Sequence, residues 1–256
     1  MPTMHMMIGN VGCGKSLISQ KLSKLYNTVV FNMDTYQEML SGGIYGAYDN
    51  AKKDIYREGE EATIRSTLQH GVSLVIDRTN MDRKRRKRFL DIGEEFGVEI
   101  VAYDFGAGSD DDLMRRCKNP RGVPVEIWKE VFEHMKGSYE PPEKEKGFSS
   151  VVIPPACFHF YAFDFDGTIV ENNFPSIGEI IDGTVDKLNR LYSDLANISI
   201  IWTCRSGNYE NQARHFLLKN KIPFDFINEN PLFDTGSPKI FAHEYHDDRN
   251  SIELGA

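Results

Sequence analysis

The chain has 256 residues, 40% of them hydrophobic and 27% charged, enough for two domains with a core each; this excludes a fibre and a disordered chain. No apolar run approaches the ~18 residues of a membrane span and the start lacks a basic region followed by an apolar core, so no membrane partner is expected. The net charge of -8 is split unevenly, 22 basic against 23 acidic residues in 1–146 and 8 against 15 in 147–256, which excludes a non-specific DNA coat.

Apolar runs alternate with amphipathic ones, as in an α/β fold with helices covering a mostly parallel sheet. In the first half, strands are predicted at 4–8, 28–31, 72–76 and 98–105, and helices at 15–25, 49–69, 82–96 and 125–135. The proline-rich, charged stretch 139–155 is read as a linker, dividing the chain into domains 1–146 and 147–256. In the second half, strands are predicted at 158–163, 198–203, 224–227 and 243–246, with helices near 184–195 and 208–220. Cys13, Cys117, Cys157 and Cys204 lack paired spacing and are read as free thiols, consistent with the cytoplasm, or a host's cytoplasm for a viral chain.

The first strand runs into GNVGCGKS, which fits G-x-x-x-x-G-K-[ST] and opens a helix. Gly9, Gly12, Cys13 and Gly14 supply a backbone that turns N–H groups onto phosphate oxygens, Lys15 adds a full positive charge, and Ser16 is suited to Mg²⁺. The ligand implied is a nucleoside triphosphate, ATP. Asp34 follows the second strand, placed either as a base for an acceptor hydroxyl or as a helix cap. Asp77 and Asn80 end the third strand at the same sheet edge, where Asp77 serves either the metal shell or a cap.

RKRRKR, residues 83–88, opens the next helix. Six successive charges wrap every helical face, so most are solvated, yet with Arg78 the cluster Arg83, Arg85 and Arg86 is the place where a polyanion would be attracted. MRRCKNPRGVP, residues 114–124, reads as a mobile lid, with Arg116 and Arg121 the candidates to reach a transferring phosphoryl group.

GxxxxGKS, then Asp34-x-Tyr36, then Asp77-x-Thr79-Asn80 followed by basic residues, then the arginine, glycine and proline pattern at 116–124, resembles the 5'-hydroxyl polynucleotide kinases of T-even bacteriophages and their relatives. The likeness covers the first 140 residues or so. It implies ATP-dependent phosphorylation of DNA or RNA 5'-OH ends, with Asp34 as general base, Lys15 and Ser16 on the donor phosphates and Mg²⁺, Asp77 at the metal and a lid arginine on the donor. Where that family has an arginine three residues after the base, this chain has Gln37, which shifts the grip on the acceptor phosphate to Arg78 or the basic helix.

The second half carries FDFDGT with Asp164, Asp166 and Thr168, then WTCR with Thr203 and Arg205, then SPK with Lys239, then HDDR with Asp247 and Asp248. Converging carboxylates repel, by roughly 4 kcal/mol for a unit pair at ~4 Å and an effective dielectric of ~20. A divalent cation relieves this, so Mg²⁺ is assigned to Asp164, Asp166 and Asp247 or Asp248. Taken singly, Thr203 and Lys239 also read as a core hydroxyl and a surface salt bridge.

The four motifs in order are similar to those of the haloacid dehalogenase-like phosphatases. The resemblance implies a Rossmann-like domain with a minimal cap, Asp164 as nucleophile forming an aspartyl-phosphate, Asp166 as acid and then base, and Thr203 and Lys239 at the phosphoryl group. The stretch between FDFDGT and Thr203 is too short for a large lid, which suits a bulky substrate.

The whole reads as an end-healing enzyme, a 5'-OH kinase fused to a 3'-phosphatase, acting on polynucleotide ends upstream of a ligase, with self-association suggested by the resemblance. The alternatives are a small-molecule or nucleoside kinase fused to a nucleotidase, and an ATP-binding module with an inactive docking domain.

Overall fold

The computed structural model describes residues 1–142, 147–232 and 239–249. Strand β1 (Thr3–Ile8) is buried along nearly its whole length, as a strand covered on both faces must be. Met4, Met6 and Ile8 point into one core with Leu74, Ile76, Phe89 and Ile100. On the opposite face His5 lies between Tyr26 and Tyr103, and burial pushes its pKa down to about 4, so it is a neutral core residue at pH 7.

Around β1 the order is β2 (Val29–Asn32), β3 (Leu74–Asp77), β1, β4 (Glu99–Asp104), β5 (Ser150–Val152), every pairing parallel. Helices α1 (Lys15–Tyr26), α2 (Met33–Leu40), α3 (Lys53–Gln69), α4 (Arg83–Phe96), α5 (Asp110–Lys118) and α6 (Val125–Gly137) connect and cover these strands. Since β3 lies on one side of β1 and β4 on the other, the carboxyl end of β1 opens at a switch point, where α/β sheets bind ligands.

The chain divides into two compact units, Met1–Pro154 and Pro155–Ala256. The boundary expected at 146/147 falls beside residues outside those described, and it is corrected to Pro154/Pro155 because β5 pairs with β4 and belongs to the first sheet. The stretch read as linker is also anchored at its start. The Glu140 N–H donates to the Met81 carbonyl (2.8 Å), and the Tyr139 hydroxyl donates to Asp104 (2.8 Å).

In the second unit the parallel order is β8 (Phe226–Ile227), β7 (Asn197–Trp202), β6 (His159–Asp164), β9 (Glu244–His246). Helices α7 (Asp182–Tyr192) and α8 (Asn208–Lys219) join them. Phe163, Phe165, Ile169, Val170 and Ile201 pack with Leu188, Leu217 and Phe224 into its core. The order reverses between β6 and β9, which places Asp164 and the residues after His246 at the second switch point.

Candidate active sites

After β1 the chain turns through residues 9–14, and α1 starts at Lys15. Its N-cap, Gly14, has a φ of 92° and no side-chain cap bond, so no side chain of the loop competes for the first helical N–H groups. The loop is held from below. Buried Asn10 donates to the carbonyls of Ala107 and Phe132 (2.9 Å each) and accepts from the Val11 N–H (2.8 Å). Asn80 donates to the Met7 carbonyl (2.9 Å), and the Gly9 N–H donates to the Thr79 carbonyl (2.9 Å). Lys15, almost buried, curls over the loop and donates to the Asn10 carbonyl, 3.5 Å from Cys13 Sγ.

Helix α5 packs its first turn on this loop. Ser109 and Asp112 form a capping box, and Arg115 bonds Asp112 while donating to the Gly12 carbonyl (3.2 Å). At Gly12 (φ 81°) a Cβ would collide with the Asp112 carbonyl oxygen. Gly12→Ala is therefore expected to cost about 1–3 kcal/mol of backbone strain and to weaken ATP binding at least ~10-fold. Calorimetric titration checks this.

The end of β2 is shaped by Asn32. Its Oδ1 accepts the Thr35 N–H (2.9 Å) and so caps α2, while its Nδ2 donates to Asp77 Oδ2 (2.8 Å). Thus Asn32, not Asp34, is the cap, and Asp34 stands exposed in the first turn of α2. The Tyr45 hydroxyl lies 3.4 Å from Asp34 Oδ2. The Arg121 guanidinium sits 5.2 Å from the Tyr45 ring centroid. Burial, then the Asp34 charge, push the Tyr45 phenol up, while Arg116 and Arg121 pull it down.

Arg116 lies 4.5 Å over the Trp128 ring, and its Nε is buried without a hydrogen-bond partner. Burial lowers its pKa, and Tyr45, Arg121, Asp34 and Cys13 all act on its charge. Asp34, Tyr45, Arg116 and Arg121 therefore form one group beside the phosphate loop. Ser16 and Asp77 offer a hydroxyl and a carboxylate, hard oxygen donors that fit Mg²⁺.

In the second unit, β6 ends at Asp164. One oxygen atom from each of Asp164, Asp247 and Asp248 lies within 4.8 Å of the others. Burial, with the charges of Asp247, Asp166 and Asp248 adding to it and a bond from the Phe165 N–H (2.8 Å) opposing it, pushes the Asp164 carboxyl up to about 6. An all-oxygen set with unrelieved repulsion fits a magnesium ion.

Asp166 is the correction: it does not join this cluster. Arg205, only 2% exposed, donates to both its oxygens (2.7 and 2.6 Å) and also to the carbonyls of Pro175 (3.1 Å) and Ser176 (2.7 Å). A carboxylate spent on a bidentate guanidinium is a poor candidate for a metal shell as well.

The other predicted residues stand around this core. Thr203 is buried, its N–H donating to Asn228 Oδ1 (2.8 Å) and its hydroxyl oxygen accepting from the Arg205 N–H (3.2 Å). Thr168 Oγ1 accepts the Asp248 N–H (3.1 Å), and a Cβ on Gly167 would collide with the Asp248 carboxylate. Lys239 lies 4.8 Å over the Tyr245 ring, and Tyr245, Thr168, Asp247 and Asp248 line one cleft. Ser237 and Pro238 of the SPK motif lie outside the described residues.

The family model described as an AAA domain (AAA_33) matches residues 4–142, from β1 through the phosphate loop and α5 to the end of α6 and beyond. The chain belongs to this AAA-domain family. No curated protein matches its sequence. Among solved structures it is similar to a chain of a Pnkp1/Rnl/Hen1 RNA repair complex, at 17% identity over 88% of this chain and 78% of that one, with a TM-score of 0.46. It is also similar to a conserved protein from Bacteroides thetaiotaomicron, at 32% identity over 36% of this chain and 78% of that one (TM-score 0.33). A third similarity is to a fungal RNA kinase, at 12% identity over 85% of this chain and 49% of that one (TM-score 0.40).

Within the AAA domain, the basic residues expected to hold a polyanion are placed differently from one another. Arg86 is 2% exposed and donates to the Asn80 and Met81 carbonyls (2.9 and 3.0 Å), so it braces the phosphate-loop support and has no surface to offer a strand. Arg78 donates to both oxygens of fully buried Glu60 (2.8 and 2.9 Å), with Arg88 on the same carboxylate. A buried carboxylate needs such partners, so Glu60 offsets one of these two positive charges and holds both guanidiniums in place. Arg83 and Arg85 are exposed, Arg85 pairing with Asp82 at 3.2 Å.

Proposed function

We propose that the chain is a bifunctional polynucleotide end-healing enzyme: an ATP-dependent 5'-hydroxyl kinase in residues 1–154 and a 3'-phosphatase in residues 155–256. The observation that carries the reading is the joining of Asp34, Tyr45, Arg121 and Arg116 beside a built phosphate loop. A mechanical ATPase has no use for an exposed carboxylate facing a lid arginine through a phenol, whereas phosphoryl transfer to an alcohol needs both a proton acceptor and a cation.

In the kinase step Asp34 takes the proton of the 5'-hydroxyl as that oxygen bonds to the γ-phosphorus of ATP and the bond to the β-γ bridging oxygen breaks. Lys15 and the N–H groups of the loop hold the ADP phosphates, and Arg116 or Arg121 meets the charge on the transferring group. Mg²⁺, held by Ser16 and Asp77, would neutralise phosphate charge. Tyr45→Phe removes the hydroxyl beside Asp34 but keeps the ring under Arg121. It is expected to lower kcat several-fold with the KM for ATP unchanged, a split that steady-state kinetics reads directly.

In the phosphatase step an oxygen of Asp164 bonds to phosphorus while the bond to the 3'-oxygen breaks, and Asp166, which takes up a proton from solvent in exchange for one of its two Arg205 bonds, gives that oxygen the proton. Asp166 then takes a proton from water, whose oxygen displaces Asp164 from the acyl-phosphate. Asp164, Asp247 and Asp248 would hold Mg²⁺, which would neutralise charge on the phosphoryl group. The Thr203 hydroxyl and Lys239 bind phosphoryl oxygens.

The test is direct. The protein is incubated with labelled ATP, Mg²⁺ and a 5'-OH oligonucleotide, and separately with a 3'-phosphate oligonucleotide. Reaction of free nucleotides but of neither oligonucleotide overturns the assignment. One observation favours a second reading, a nucleoside or small-molecule kinase: Gln37 is uncharged, and Arg78 and Arg86 are engaged inside the domain, so cations for an acceptor phosphate are few. Competition between oligonucleotide and mononucleotide separates the two readings.

A further inference from the structure

The segment between β6 and α7 contains Asn172, Asn173, Phe174, Pro175 and Ser176. Phe174 is 56% exposed and Tyr209, in the first turn of α8, is 42% exposed. Their ring centroids are 5.2 Å apart at 59°. A single exposed aromatic ring needs no explanation. This pair is different because of what holds it.

The Arg205 guanidinium carbon lies over two phenyl rings, 5.2 Å from the Phe165 centroid and 5.2 Å from that of Phe174. The same guanidinium takes the Pro175 and Ser176 carbonyls and both oxygens of Asp166. The loop bearing Phe174 is thus clamped to the buried cation that fixes Asp166. An aromatic surface is presented one guanidinium away from the carboxylate that meets the leaving oxygen.

We propose that Phe174 and Tyr209 form a leaving-group subsite that stacks the nucleobase of the nucleoside bearing the 3'-phosphate. The inference rests on the phosphatase reading of this site and adds the substrate feature recognised there. Because Asp166 hands its proton to the leaving oxygen, the sugar and base attached to that oxygen lie on the Asp166 side, where these rings are exposed. Charge argues the same way. Residues 147–256 carry 8 basic against 15 acidic side chains, so attraction of a phosphodiester backbone beyond the terminal phosphate is weak and a charge-independent contact has more to contribute. Stacking is independent of charge and tolerant of base identity, since every base has a π-face.

The experiment compares kcat/KM for an oligonucleotide ending in a 3'-phosphorylated nucleoside with that for the same strand ending in an abasic 3'-phosphorylated sugar. The wild-type ratio is expected to be about 10 to 100, the usual worth of one stacked base. Phe174→Ala and Tyr209→Ala should each bring that ratio toward one. A ratio near one in the wild type overturns the subsite, and so does a parallel fall on both substrates, which would make Phe174 only a support for Arg205. Phe174→Tyr, which keeps a π-face, should restore the ratio, and its failure to do so also counts against stacking. A wild type that hydrolyses neither strand overturns the phosphatase reading together with the subsite, and is thereby distinguished from active enzyme lacking base preference.

Discussion

Lys15→Ala is expected to reduce phosphorylation of a 5'-OH oligonucleotide by about 100- to 1,000-fold, the loss typical of one preorganised charge at a developing anion. Removal of 3'-phosphates should stay within about twofold of wild type, because the Asp164 site belongs to a separate compact unit with its own core. The ammonium of Lys15 rests on the Asn10 carbonyl over the phosphate loop, so the alanine variant loses the positive charge at that loop and gains no clash. Folding should be little affected, since Asn10 keeps its bonds to Ala107 and Phe132. A radiolabel-transfer assay alongside thermal unfolding separates the two effects. Equal loss of both activities, or an unchanged kinase rate, contradicts the assignment of Lys15 to the donor phosphates.

The sequence makes the phosphate loop legible because every requirement is local: an apolar strand, glycines at fixed spacing and a helix follow one another without a gap. The acceptor side is not local. Asn32 works by reaching Asp77 across a strand pair, and Tyr45 by meeting Asp34 and Arg121 from a different loop, contacts with no signature in spacing. A partial signal existed for Asn32, since asparagine just before Met-Asp-Thr is a favoured N-cap. The lid hides a helix for a similar reason: Ser109 and Asp112 form a capping box three residues apart, but the arginines and the Asn-Pro after it read as loop. β5 is three residues long and lies between charge and proline, so only its pairing with β4 reveals it.

The basic run shows where composition misleads. A helix turns every 3.6 residues, so of six successive cations some must face inward. Arg86 and Arg88 do so, and their burial is tolerated because carbonyls and Glu60 accept their bonds. At the second site the sequence puts Asp164 and Asp166 in one Mg²⁺ shell, yet the two lie in opposite electrostatic surroundings. Asp166 faces a buried guanidinium, whereas Asp164 faces two further carboxylates. Such divergence between neighbouring carboxyl groups is how one site assigns different tasks to each.

Asp164→Asn should therefore have two opposite effects. On the proposed phosphatase reading, hydrolysis of a 3'-phosphate is expected to fall by about four orders of magnitude or more, since an amide cannot form the acyl-phosphate, while kinase activity persists. The same change should raise the unfolding temperature of the magnesium-free protein at pH 7 by a few degrees, because it removes a charge from a crowded acidic cluster and keeps an oxygen to accept the Phe165 N–H. Linkage fixes the pH window. The folded-state carboxyl titrates near 6, above the ordinary value of 3.8, so its protonated form contributes stability that is fully present below 3.8 and is lost as pH rises through about 6. Wild type and variant should accordingly converge below about 3.8, separate as pH rises to about 6, and keep a constant difference above it. Added Mg²⁺ should raise the wild-type midpoint at pH 7 and raise the variant less, because one anionic ligand is gone. Scanning calorimetry across pH, with and without Mg²⁺, measures all of these. A wild type indifferent to Mg²⁺, or a variant less stable than wild type at pH 7 without it, would show that Asp164, Asp247 and Asp248 do not act as one charged cluster.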